Sequence, residues 1–130
     1  MATFPRFASV AVATLILFQS AVVAPAINVA LEPEPAALML RFLWPIFFAI
    51  IGILGIVGVV SSRKQLSGLI VNGATVLGMA VCYFLVPVIN GAKDSDNMGL
   101  WNSLHMVTVG LTLVLLIAHL GYVFRWHRRE

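Results

Sequence analysis

Four uncharged apolar runs dominate this chain, near residues 7–29, 42–62, 65–90 and 100–124. Each is long enough for a helix to cross the hydrocarbon core of a bilayer, which takes about 20 apolar residues. Charge is confined to the breaks between them and to the two ends: Arg6, then Glu32, Glu34 and Arg41, then Arg63 and Lys64, then Lys93, Asp94 and Asp96, then Arg125, Arg128, Arg129 and Glu130. Only 10% of the residues are charged, against about 25% in a soluble domain. With a mean hydropathy of +1.01, most of this surface is not built for water. Lipid supplies no hydrogen-bond partner to the backbone, so a spanning segment is a helix or part of a closed barrel. The runs are continuous rather than alternating, which selects helices. The expected fold is all-α: a four-helix transmembrane bundle, up-down-up-down, forming one integral membrane domain over 1–130. Its spans are expected at about 7–29, 38–62, 65–90 and 100–124.

Arg6 ahead of an apolar stretch, followed by Ala24-Pro25-Ala26, has the outline of a secretory signal. The first run exceeds the usual signal core, so it is read as a retained first span. With four spans, Arg6, Arg63, Lys64, Arg125, Arg128 and Arg129 share one side of the membrane, and Arg41 and Lys93 lie on the other with four acids. That asymmetry puts both termini in the cytoplasm by the positive-inside rule.

Pro-x-Ile-Asn occurs twice, as "PAIN" at 25–28 and "PVIN" at 87–90. Both copies end an apolar run, and both fall at the outer mouth in this topology. Proline breaks or kinks a helix and Asn tolerates left-handed backbone, so each copy is expected to be a helix exit. The repeat also invites a reading as two parallel helical hairpins. In the second run Gly52, Gly55 and Gly58 offer a seam for close helix approach. Gly68, Asn72, Thr75 and Cys82 form a small and polar stripe on the third span. His105, Thr108, Thr112 and His119 form one on the fourth, and Gln19 and Ser20 lie at mid-depth on the first. These stripes should face the bundle interior, with Gln19, Asn72 and Thr112 as bonds between helices.

Cys82 is the single cysteine, so neither an internal disulfide nor a thiol-based metal site is expected, and it is read as buried packing. No acidic residue lies within a span, which argues against a proton relay. No basic patch is interleaved with aromatics, so nucleic acid is not an expected partner. No metal site and no catalytic constellation is legible, and no cofactor is expected. Haem is the alternative, on His105 or His119. Those two lie about 21 Å apart along one helix and cannot share an iron within a subunit. His127 is read as a headgroup contact. The concentration of chemistry is at the outer mouth, where the candidate ligand-binding residues are Asn28, Arg41, Asn90, Asp94, Trp101 and His105, with Trp44 and Asp96 nearby.

The segment "FLVPVINGAKDSDNMGLWNSLHMVTVGLTLVLL" resembles the Pro-x-x-Asn, Asp, then aromatic and Leu-His pattern of small bacterial four-helix integral membrane proteins of unknown function, related to eukaryotic TMEM-type proteins. Pro87, Asn90, Asp94, Leu104 and His105 match that pattern. The first half, with its proline exit, short acidic loop and aromatic-proline helix start, resembles that family's first hairpin. The resemblance implies a bacterial inner-membrane location and brings no activity with it. Small multidrug transporters are similar in size but use a glutamate in the first span, absent here. Membrane thiol oxidases need paired cysteines, and membrane glutathione-transferase-like proteins carry charged motifs within their spans. DoxX-like and anthrone-oxygenase-like membrane proteins share the size and helix count. The expected function is an interaction or accessory subunit, or a binder of a small apolar ligand, working in the bilayer as a homo-oligomer or within a larger membrane complex. The alternative is a membrane oxidoreductase or small transporter acting at His105.

Overall fold

The computed structural model describes residues 4–127, with side chains through Arg125. Arg128 and Arg129, and the side chain of His127, lie outside the described residues. The chain forms α1 (Phe4–Phe18), a π-helical turn (Gln19–Val23), α2 (Ala24–Ala30), α3 (Pro33–Ser61), α4 (Leu66–Asp94) and α5 (Met98–His127). The first three run on as one rod, so four rods are long and apolar enough to cross a membrane: Phe4–Ala30, Pro33–Ser61, Leu66–Asp94 and Met98–Arg125. The fold is an all-α four-helix bundle, and the described residues contain no strand. The short connections force successive rods to run antiparallel. Residues 4, 62–65 and 127 therefore mark one end of the bundle, the terminal end. Residues 31–32 and 95–97 mark the other, the loop end.

Around the bundle α1 packs on α3, α3 on α4, α4 on α5, and α5 back on α1. The core is one apolar cluster that includes Val12, Ile16, Phe48, Ile51, Met79, Val86 and Leu115. Cys82 belongs to it and is fully buried. Outside, Phe7, Phe42, Leu77, Phe84, Ile117 and Phe124 stand exposed. This inside-out surface fits hydrocarbon as its solvent.

The Pro-x-Ile-Asn copies are not helix exits. Pro25 and Pro87 sit within helices, and α2 continues to Ala30 and α4 to Asp94. Pro25 has no N–H, and its ring crowds the carbonyl four residues back. The chain answers by widening the preceding turn: the Ala24 N–H donates to Gln19 O, five residues back. The Asn28 amide then donates to Ala24 O at 2.9 Å. Asn here mends a helix rather than ending one. The stop of α4 comes later, at Asp96, whose φ of 54° is left-handed. Asn97 N–H reaches Ala92 O at 2.8 Å and Asp96 N–H reaches Lys93 O at 3.2 Å, the paired bonds of a Schellman cap. Asn97 Oδ1 then accepts the Leu100 N–H at 3.2 Å and starts α5. At the other loop Pro33 takes the opening turn of α3, where its missing N–H costs nothing. That carries the second span back from 38 to 33.

The glycine seam holds α3 to α4. Gly55 and Gly58 are buried, and a Cβ on Gly55 would lie 3.3 Å from the backbone oxygen of Asn72. A Cβ on Gly58 would coincide with the Asn72 side chain, Oδ1 foremost. Asn72 cannot step aside cheaply, because its Nδ2 donates to Gly68 O at 2.8 Å. Its Oδ1 has no conventional partner and lies where a Gly58 Cα hydrogen points, the geometry of a weak Cα–H···O contact. Gly58→Leu is expected to destabilise the bundle by about 1–3 kcal/mol, the usual cost of overpacking. Gly73→Ala, with nothing within 4 Å of the new methyl, should be neutral or stabilising. Thermal denaturation in mild detergent compares the two.

Candidate functional site: a cavity at the loop end

Beyond the π turn the first rod changes company. α1 touches both α3 and α5, but α2 packs along α3 and makes no comparable contact with α5. The bundle is closed at the terminal end and parted at the loop end. A cavity of about 650 Å³ lies in the parting, within the range of about 300–1,000 Å³ typical of small-molecule sites.

The first rod contributes Ile16, Ser20, Ala24 and Asn28 to its wall. A residue in an α-helix turns by about 100°, so in an unbroken helix Asn28 would point about 120° away from Ile16. The π turn absorbs one extra residue and brings the two back to within about 20°. The distortion around Pro25 is therefore what aligns this wall. α3 adds Leu40, Arg41, Trp44 and Phe48, and α4 adds Val86, Ile89, Asn90 and Lys93. α5 adds Trp101, His105, Thr108, Val109, Thr112 and Leu113.

The cavity has an apolar floor and a polar rim. Ile16, Phe48, Val86 and Leu113 lie deep, and Trp44 stacks on Phe48 with centroids 5.6 Å apart. The rim carries Asn28, Arg41, Asn90, Lys93, Trp101 and His105. Arg41 donates to Asp94 Oδ1 at 2.6 Å across the α3–α4 boundary. Lys93 Nζ stands 4.9 Å from the Trp101 ring centroid and 3.7 Å from Met98 Sδ. His105 stacks on Trp101 at 5.1 Å, with the rings 6° from parallel. The side chains of Asn90 and His105, both half-buried, make no hydrogen bond within the described residues. Thr108 and Thr112 donate along their own helix, to His105 O and Thr108 O.

Of the sequence-derived candidates, Asn28, Arg41, Asn90, Trp101 and His105 meet on this one wall. Asp94 does not line it and reaches it only through Arg41. Lys93 and Ser20 line the cavity and were not among those candidates. By charge pattern alone Lys93 reads as a loop charge, and the i, i+4 row from Ile16 to Asn28 means nothing until the π turn is known.

His119 is elsewhere. It is fully buried in the terminal half, with Nε2 2.7 Å from Thr75 Oγ1. Thr75 Oγ1 also donates to Val71 O at 2.9 Å. A hydroxyl has a single proton, so His119 Nε2–H is the donor to Thr75. This bond and Tyr122 OH to Gln65 Oε1 at 2.8 Å join α4 to α5. The helix-to-helix bond expected of Asn72 is instead a donation within its own helix, whereas Thr112, which donates to Thr108 O, also pairs with the Cys82 thiol of α4. The Gln19 Nε2 is buried without a partner. Thr75→Val should orphan the His119 N–H and cost about 0.6–1.7 kcal/mol, from the average to the maximum measured for hydrogen bonds between membrane helices. A thermal midpoint unchanged from wild type would contradict that assignment.

No family model, curated protein or solved structure matches this chain. Among the described residues no group of three or more His, Cys, Asp or Glu could hold a metal ion.

Proposed function

We propose that this multi-pass membrane protein binds a small, largely apolar ligand in its loop-end cavity and works without catalytic machinery of its own, as a binding or accessory component. One observation carries the reading: an apolar floor beneath a rim of polar side chains, with those of Asn90 and His105 unbonded, inside a cavity of ligand size. Such sites are mostly apolar, with a few convergent polar groups that orient the ligand. The exposed apolar surface is available to lipid or to further subunits. Arg6, Arg63, Lys64 and Arg125 at the terminal end support placing it in the cytoplasm and the loop end outside. The family resemblance supports a bacterial inner membrane.

Ser20→Trp and Ala24→Trp fill the cavity from the first rod. Native mass spectrometry from mild detergent should find a bound small molecule on the wild type and none on either variant. The variants should elute and melt as folded protein. A wild type without bound mass, or folded variants that retain it, would sink the reading. Orientation is tested separately in a Cys82→Ala background. A cysteine at 96 should react with an impermeant thiol reagent in intact cells, and one at 64 should react only after lysis.

A second reading keeps the cavity and gives His105 a chemical role, in a membrane oxidoreductase or transporter. It is favoured by the unbonded ring nitrogens of His105 on the cavity wall, where an axial bond to haem iron could form. A visible absorption spectrum of the purified protein, lost in His105→Ala, would select this reading over the first.

A further inference from the structure

We infer that the cavity selects a single-chain amphiphile with an anionic head, a long-chain carboxylate, which enters sideways from the leaflet at the loop end. The inference rests on the ligand-binding reading above and adds the charge, shape and route of the ligand.

Charge comes first. The ionised side chains lining the cavity are Arg41 and Lys93, and no carboxylate lines it. Among the described residues the one ion pair is Arg41 with Asp94. It engages a single nitrogen of Arg41, leaving the rest of a planar fork of donors that matches a carboxylate. Lys93 has no carboxylate partner. Its ammonium contacts a thioether and a ring face, both weaker partners than an anion.

Shape and route follow from the helices. The lining residues run from Pro33 to Phe48 on α3 and from Trp101 to Leu113 on α5, about 22 Å and about 18 Å along the axis. The cations stand toward the loop end, and Phe48, Val86 and Leu113 lie below them. A chain hanging from its head along the bundle fits this arrangement. The wall is open where α2 and α5 part. On that side Val109 and Leu113 line the cavity while 45% and 53% exposed. An amphiphile already in the leaflet meets the opening from the side, with its head at the level of Arg41 and Lys93 throughout.

The test uses the full chain in phosphatidylcholine nanodiscs. Binding of tritiated hexadecanoate is measured against empty nanodiscs and competed with hexadecanol, hexadecyltrimethylammonium and acetate. Hexadecanoate should bind about tenfold or more tighter than hexadecanol, the size of one charge-assisted hydrogen bond. The ammonium and acetate should compete least. The carboxylate-over-alcohol preference should fall at least about fivefold in R41Q/K93Q, as charge-assisted contacts are removed. K93Q alone, at an exposed side chain, should show part of the same fall if the double variant does not fold. Hexadecanol competing as well as hexadecanoate, with both displaced in S20W, would overturn the anion selection and leave the ligand-binding reading standing. So would an unchanged preference in folded R41Q/K93Q or K93Q. Acetate competing as well as hexadecanoate would overturn the chain requirement. If neither hexadecanoate nor hexadecanol binds above empty nanodiscs, this inference falls. The mass-spectrometric comparison above then decides the broader reading by itself.

Discussion

In hydrocarbon every backbone N–H and C=O must find its partner within the protein, and the rest of this structure follows from that demand. It makes the four apolar runs into helices and keeps the connections between the later rods to a few residues. It also governs what the prolines do. In water a proline such as Pro25 commonly ends a helix, because solvent can take the freed carbonyls. Here the helix widens by one residue, carries on for almost two more turns, and uses the Asn28 side chain to bond Ala24 O. The cap that does end α4 is built from local bonds, the backbone pair around Asp96 and the Ser95 hydroxyl donating to Gly91 O.

Side-chain size then decides where the bundle closes. Toward the terminal end, Gly55, Gly58 and Gly68 let α3 and α4 approach until Asn72 and Ser62 fill the space a Cβ would take. Tyr122 and His119 bond across to α4 in the same half. Toward the loop end, the facing positions carry Trp44, Phe48 and Trp101. Bulky rings hold helix axes apart where glycines bring them together. The result is a wedge, tight at one end and hollow at the other, and the hollow inherits an apolar floor because it opens from the core itself.

The rim then gathers polarity that the spans exclude. Membrane helices tolerate Arg, Lys and Asn best near their ends, where long side chains reach the interface. All four rods have an end on this side of the bundle, and residues near those ends converge on one mouth. Arg41 is held by Asp94, and Lys93 rests on Trp101. Both pairs are exposed enough that they contribute little to stability, so their importance lies in the charge they present to whatever occupies the cavity.

Element type and number were legible because hydropathy needs no partner to be read: twenty apolar residues mean a helix in lipid wherever they occur. The glycine seam was legible for a similar reason, since small residues at helical spacing allow close approach against any neighbour. Most of the site was legible only as a level in the membrane. Asn28, Arg41, Asn90, Trp101 and His105 share a depth, and depth follows from counting along each run. Which of them face one another depends on rotation about each axis, and rotation is set by packing. The π turn shifts the face of α2 by about 100°, and nothing in the residues around Pro25 distinguishes that from a helix end. Lys93 turned from a loop charge into a cavity wall for the same reason. The sequence by itself determined the solvent, the four rods and the depth of every polar group. Only the tertiary structure decided which groups meet, because azimuth is a property of contacts between helices and not of any one of them.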